Sequence, residues 1–224
     1  PSDYGSGYMG SFAALDMAVL QSYYGANTSY NNGSTTYSLG SRDYYETIWD
    51  GGGTDEITMS GSSNAVIDLR AATLEYEAGG AGFVSYNANA KGGYTIANGV
   101  VIENAKGGGG TDTIIGNDAN NIIYGGSGAG VKDTLTGNGG IDTFVCIAAD
   151  ASTGANTTDR ITDFTDGTDL IGLDNGLSFS NLTFSQNGSA TQIVNTSANK
   201  LLFLLDSFTY SNLTTDDFVQ IDFI

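Results

Sequence analysis

Histidine is absent from the 224 residues, and cysteine and proline occur once each. Without imidazole there is no histidine zinc site, no Ser-His-Asp triad and no Cys-His pair. With Cys146 alone, no disulfide forms within the chain. Cations are scarce as well: four Lys and three Arg stand against 20 Asp and 5 Glu, a formal charge of −18. That sign argues against nucleic acid, whose binding needs phosphates neutralised by Lys and Arg, and against an anionic membrane surface. No apolar run approaches the ~18 residues of a membrane span. Residues 1–10 are rich in Gly, Ser and Tyr and hold no basic and apolar leader, so no Sec signal is expected there. With Pro1 in first place, the chain is expected to be a processed or truncated piece.

What is abundant is glycine, 33 residues, and asparagine, 19. Both Asp and Asn favour turns over helix interiors, so the charge is expected in turns. Aliphatic and aromatic content is too high for an acidic disordered tail, and a chain of this length buries a core. Folding must gather the carboxylates against their own repulsion. A bridging cation removes that penalty, and hard oxygen ligands without His or usable Cys point to calcium. The plainer alternative is that surplus Asp only keeps a secreted or halophilic protein soluble. Spacing decides between them.

One segment reads as helix: residues 11–24, SFAALDMAVLQSYY, with Phe12, Leu15, Val19, Leu20 and Tyr23 near one stripe, Ser11 as cap and Gly25 as stop. Thereafter short runs of β-branched and aromatic residues alternate with Gly/Asp/Asn clusters: TTYSL, EITMS, AVIDL, VVIEN, DTIIG, NIIYG, DTLTG and DTFVCIAA. Inside lies a repeat of nine residues. It reads GGGGTDTII from Gly107, GNDANNIIY from Gly116, GGSGAGVKDTLT from Gly125 with three extra residues, and GNGGIDTFV from Gly137. An outlying copy, DGGGTDEIT, starts at Asp50. This is the pattern G-G-x-G-x-D-x-U-x of a calcium-binding parallel β-helix. Six residues turn and three form a strand; glycine lets carbonyls face the space between stacked turns, and the sixth-position Asp adds a carboxylate. The predicted stacks are 107–112 with 125–133 on one edge and 116–121 with 137–142 on the other. Asn121 replaces Asp on the second edge. Ile57, Ile114, Ile122, Leu135 and Phe144 are expected to point inward, and the AGVK insertion to bulge before Asp133. Ordinary hairpin turns are the alternative that the four-unit register disfavours.

On these residues the chain resembles the C-terminal half of the serralysin metalloproteases, within the RTX proteins secreted by type I systems. FAALDMAVLQSYYGAN, TIWDGGGTDEITMSGSSNAVIDL and IANGVVIENAKGGGGTDTIIGNDANNIIYGG carry the likeness, over roughly 4–175. The resemblance implies calcium sites. A first would use carbonyls of Asn31, Gly33 and Thr35 with Asp50, the carbonyl of Gly52 and Asp55; a second, Gly53, Asp55, the carbonyl of Val101 and Glu103. Further sites would take Gly108, Gly110 and Asp112 with Gly125, Gly128 and Asp133, and, on the opposite edge, Asp118, Asn121 and Asp142. Asp159, Asp163, Asp166 and Asp169 in DRITDFTDGTDLIGL are additional candidates, though not an EF-hand. About four to seven ions would be accommodated by the turns available. The family's H-E-x-x-H-x-x-G-x-x-H zinc helix and Met-turn are missing here, so this chain is not expected to be a protease by itself.

Other residues read more plainly. Cys146 between apolar neighbours is expected to be a buried, inert thiol. Tyr23, Tyr24, Tyr30, Tyr37, Tyr44, Tyr45 and Trp49 could form a sugar platform, but packing between helix and strands explains them better. Neither Glu75 with Glu77 nor Asp216 with Asp217 has the setting of a glycosidase pair. The ending Asp222-Phe-Ile224 is similar to the family's uncleaved secretion signal, with an edge strand as the alternative.

The expected fold is all-β: a right-handed parallel β-roll over 36–145, preceded by an N-terminal segment and helix over 1–35 that pack on it, and followed over 146–224 by an antiparallel β region. The expected function is that of a calcium-binding RTX module, extracellular, exported by type I machinery and folding on calcium. The alternatives are a structural or adhesive self-assembling component, and the non-catalytic part of a serralysin-type zinc endopeptidase with an upstream protease domain.

Overall fold

A computed structural model describes residues 8–128 and 131–223. Ala129 and Gly130 of the insertion, and Ile224, lie outside the described residues. The fold is mostly β with one helix, α1 (Ala14–Tyr24).

Between residues 104 and 173 the short strands alternate between two sheets, neither of which closes on itself. One seven-stranded sheet contains Thr36–Ser38, Glu56–Thr58, Asn104–Lys106, Ile122–Tyr124, Thr143–Cys146, Leu170–Leu173 and Phe218–Gln220, every pair parallel. The parallel part of the eight-stranded sheet contains Ala65–Asp68, Thr113–Ile115, Thr134–Thr136, Asp159–Ile161 and Lys200–Leu205. A separate three-stranded sheet joins Tyr8–Met9, Tyr44–Ile48 and Gly93–Ile96.

Three-residue strands in register place one side chain per strand inward, where it stacks on its counterparts. Ile67, Ile114, Leu135 and Ile161 form one column, and Ile57, Ala105, Ile123, Phe144 and Ile171 the other, all at 0% exposure. Each such aliphatic burial is worth about 1.5–3 kcal/mol against an exposed position, which lets strands this short persist.

Several expectations are corrected. The inward residue of the second repeat is Ile123, paired with Phe144, and not Ile122, which is half-buried beside Thr143. VVIEN does not form the strand; it begins at Asn104, because Glu103 ends the preceding turn. The antiparallel region expected from residue 146 is narrower. Leu182–Asn187, Ala190–Asn195 and Lys200–Leu205 pair antiparallel, whereas Asp159–Ile161 and Leu170–Leu173 extend the parallel stacks. Asp159 opens the first of these strands and Asp169 immediately precedes the second, in register with Asp133 and Asp142 of the repeats.

Helix α1 also differs. Its cap is Ala13, whose N–H donates to Asp16 Oδ2 at 3.1 Å, while Ser11 Oγ accepts from Thr47 N. Gly25 stops it as expected, at φ +80° with its N–H on the Gln21 carbonyl. Ala14 is the buried residue of the helix, and the stripe read as its packing face is exposed. Trp49 meets the preceding loop through Nε1 on the Asn27 carbonyl, 3.0 Å. Among the described residues no helix is long and apolar enough to cross a membrane.

Candidate metal centre

At most coils, the turns before Ala65 and Ile122 excepted, the turn ends on a carboxylate whose role is fixed by the stack. On one edge the backbone N–H of Ala65 donates to Asp112 Oδ1 (2.7 Å), that of Asp112 to Asp133 Oδ1 (2.7 Å), and that of Asp133 to Asp159 Oδ1 (2.8 Å). On the other edge Thr35 N–H donates to Asp55 Oδ1 (2.8 Å) and Asp55 N–H to Glu103 Oε2 (2.8 Å). The same edge continues with Asn121 N–H to Asp142 Oδ1 (2.9 Å) and Asp142 N–H to Asp169 Oδ1 (3.1 Å). One carboxylate oxygen therefore joins consecutive coils.

The second oxygen has varied fates. Asp112 Oδ2 accepts from Gly108 N–H and Asp169 Oδ2 from Thr165 N–H, each within its own turn at 2.7 Å. Asp55 Oδ2 and Asp133 Oδ2 are buried with no hydrogen-bond partner. An unpaired buried carboxylate oxygen is costly. Burial first, then the Asp159 charge, pushes Asp133 up to about 8. Burial likewise raises Asp142 to about 7, with Asp169 adding repulsion, and Asp159 to about 7, with Asp150 adding its own. Asp55 rises to about 6 through burial and its neighbours Asp50 and Glu103. Repulsion thus adds to burial in separate sets, Asp133 with Asp159 and Asp150, Asp142 with Asp169, and Asp55 with Asp50 and Glu103, each disfavouring the charged forms.

Glycine shapes the space around them. Gly126 sits at φ +111°, and a Cβ there would lie 2.0 Å from the Gly108 carbonyl oxygen. A Cβ on Gly137 would lie 2.1 Å from Asp142 Oδ2. The slots between turns are thus lined by carbonyl and carboxylate oxygens, the donor set of a hard cation.

The structure brings many of the sequence candidates together. Turns 107–112 and 125–128 stack, with Gly107 N–H on the Tyr124 carbonyl, and Cβ positions at Gly125 and Gly128 would approach Asp133 Oδ2 and the Gly109 carbonyl. Gly110 abuts the Ser63 carbonyl. Around Asp55, Thr35 Oγ1 donates to the Gly33 carbonyl, Asn31 Nδ2 to Tyr37 Oη, Tyr37 Oη to Asp50 Oδ2, and Gly52 N–H to Asp50 Oδ1; Gly53 abuts Gly33. Asn121 Nδ2 donates to the Glu103 carbonyl. Asp118, though exposed, lies against turn 137–142, its Oδ1 being 3.2 Å from the Cβ position of Gly139, and Asp163 has both oxygens engaged by the Gly137 and Asn138 N–H groups of that turn. Asp166 is exposed, and Val101 is 46% exposed. Among the described residues no three acidic, histidine or cysteine side chains gather as a metal-holding group, so main-chain oxygens would have to supply much of any coordination.

Three participants escaped sequence reading. The turn 60–64 stacks on 107–112 through Gly109 N–H on the Gly61 carbonyl, although SGSSN lacks the acidic signature. Asp150 adds its charge to the repulsion felt by Asp133 and Asp159 and accepts from Tyr124 Oη at 2.7 Å. Asp217 is buried, takes Thr214 N–H at 2.7 Å and faces Gly167 N–H; its Asp-Phe-Val context repeats the Asp-x-apolar signal. Cys146 is buried and its thiol is pushed up by burial and nearby carboxylates, which leaves it un-ionised.

Comparison with known proteins matches residues 13–221 to the family described as peptidase M10 serralysin C terminal. Metalloprotease AprA of Pseudomonas entomophila (strain L48) is 40% identical over 178 residues, covering 70% of this chain and 34% of that protein. Metallopeptidase AprA of Pseudomonas marginalis is 40% identical over 122 residues, 48% of this chain and 24% of that protein. Serralysin G of Dickeya chrysanthemi is 38% identical over 125 residues, 50% and 24% respectively. The matches thus span between 24% and 34% of the length of these relatives.

Proposed function

This chain belongs to the peptidase M10 serralysin C-terminal family, and we propose that it is the non-catalytic, calcium-dependent folding module of a longer serralysin-type zinc endopeptidase. The two facing stacks are read as the parallel β-roll of that module. The chain has no histidine, so its contribution is structural rather than hydrolytic.

The observation that carries the calcium assignment is Asp133 Oδ2, buried and without a partner, 2.7 Å from the Cβ position of Gly125 in the glycine turn stacked on 107–112. Calcium supplies a divalent charge that accepts six to eight oxygens, neutral carbonyls included. Gly108, Gly110, Asp112, Gly125, Gly128 and Asp133 would hold it on one edge; Asp50, Asp55 and Glu103 with the carbonyls of 31–35 and 52–53 would do so at the entry to the stacks. Asp55, Asp112 and Asp133 also do work of their own, since their backbone N–H groups meet the next carboxylate in the ladder.

At cytosolic calcium, glycine-rich chain entropy and carboxylate repulsion oppose the fold, which keeps the chain exportable by type I machinery. In millimolar extracellular calcium, binding to the folded stack alone becomes folding free energy. Circular dichroism in EGTA and then in millimolar calcium tests this: a β spectrum should appear with calcium, and a fully folded spectrum in EGTA would overturn the coupling.

A further inference from the structure

A strand at the end of a sheet carries a row of backbone N–H and C=O groups with no neighbour, and proteins blunt such edges by shortness, charge, proline or bulges. The strand Leu182–Asn187 ends the eight-stranded sheet and pairs only with Ala190–Asn195. It is six residues long. The other edge strands among the described residues run two to four: Tyr8–Met9, Thr36–Ser38, Tyr86–Asn87, Gly93–Ile96 and Phe218–Gln220. Leu182–Asn187 holds no proline and no charged residue, and its pairing shows no register shift. Residues 175–199 together contain no Asp, Glu, Lys or Arg, a run of 25 in a chain of formal charge −18.

The hairpin fixes what this edge presents. Its two-residue turn, Gly188-Ser189, closes on the pair Asn187 and Ala190, and hydrogen-bonded pairs alternate from there. Asn187, Ser185 and Thr183 therefore bond to the inner strand, while Phe184 and Gln186 direct N–H and C=O outward. Among the described residues nothing pairs with those outward groups. Leu182 N–H is met by the Phe179 carbonyl, which leaves its own C=O outward and open. Three rings cluster beside the edge, Phe184 lying 5.6 Å from Phe218 and 5.8 Å from Phe179, with Phe179 and Phe218 5.0 Å apart. All three are only half-buried.

We propose that this edge is the interface of a two-fold dimer, in which Leu182–Asn187 pairs antiparallel with the same strand of a second copy. Pairing centred on Phe184 satisfies the outward groups with about four backbone hydrogen bonds and sets the two phenylalanine clusters side by side. Charge selects the occupant. A different protein would be drawn to so acidic a chain through basic groups, and this edge gives those nothing to meet. A second copy is repelled at the acidic turns and encounters no like charge along 175–199. The two-fold also closes the assembly, since each copy offers one such edge among the described residues. The proposal rests neither on the calcium assignment nor on reading the chain as part of a protease.

Sedimentation equilibrium of the full-length gene product and of the 224-residue chain, both in millimolar calcium, tests it. Each should show a reversible monomer–dimer equilibrium. Raising the ionic strength from about 0.01 to about 0.1 M shortens screening from about 30 to about 10 Å, so the dimer of this acidic chain should tighten at least about threefold. Antiparallel pairing centred on Phe184 sets Thr183 opposite Ser185 of the second copy, and both side chains are exposed. Thr183→Asp with Ser185→Asp places like charges face to face and should weaken the dimer at least about tenfold, with the circular dichroism spectrum unchanged. Thr183→Lys with Ser185→Asp places opposite charges there and should restore it. A monomer at every concentration up to about 1 mM would overturn the proposal. So would a dimer insensitive to the first double variant, or a second double variant no tighter than the first. If the chain proves to fold without calcium, the same comparisons are read in EGTA.

Discussion

The backbone N–H of Asp112 donates to Asp133 Oδ1 at 2.7 Å, while Asp133 Oδ2, a few bonds away, is buried with nothing to accept from. The first contact ties two coils together, and the second leaves a carboxylate oxygen that burial pushes toward its protonated form. Asp133→Asn separates these roles, since an amide oxygen still accepts from Asp112. The variant is expected to be more stable than the parent in EGTA and to need about tenfold more calcium to fold, roughly 1.4 kcal/mol of lost binding. Calcium titrations followed by circular dichroism read both effects.

Acidity should substitute in part for metal. In the calcium-free fold Asp55 is raised to about 6, Asp142 and Asp159 to about 7 and Asp133 to about 8, against an ordinary 3.8. The folded state binds these protons more tightly than the unfolded chain. Their stabilising effect is complete below about pH 4 and is lost as pH rises through 6 to 8. Urea midpoints in EGTA should therefore fall between pH 5 and pH 8. In saturating calcium the trend should disappear or reverse, because the same oxygens would be held by the ion. A midpoint in EGTA that rises over this window contradicts the assigned burial.

Glycine should be irreplaceable only where the stack comes close. Gly126 combines φ +111° with a Cβ position 2.0 Å from the Gly108 carbonyl, whereas Gly154 is extended and has nothing within 4 Å. Gly126→Ala is expected to cost about 2–3 kcal/mol and Gly154→Ala less than about 0.5 kcal/mol, compared by chemical denaturation in calcium.

The repeat region was legible because its period is written in two residue types with fixed jobs: glycine where carbonyls crowd, and aspartate where an N–H must be met. The turn 60–64 was not, because its role in the ladder is played by the Ala65 N–H and Gly61 carbonyl, groups any residue carries. The face of α1 was misread for a different reason. An apolar stripe says that a surface wants cover, but only the packed structure shows that Ala14 rather than Leu15 or Val19 meets this domain. Beyond residue 146 the antiparallel strands were anticipated, yet Asp159, Asp169 and Asp217 continue the carboxylate-then-strand rule, a signal that weakened once the glycines thinned out.

The slip between Ile122 and Ile123 offers the sharpest test of register. Two adjacent isoleucines satisfy the same pattern, and a displacement of one residue turns every side chain of a strand to the opposite face. Ile123 is fully buried and aligned with Ala105 and Phe144, whereas Ile122 is half-buried, aligned with Asn104 and Thr143. Removing Ile123 leaves a cavity between columns that three-residue strands cannot close. Ile123→Ala is expected to cost about 2–5 kcal/mol, and Ile122→Ala less than about 1 kcal/mol, in calcium-saturated unfolding. Equal costs would mean that the strand carries no fixed register, and the alignment of Asn121 with Asp142 one residue earlier would lose its basis as well.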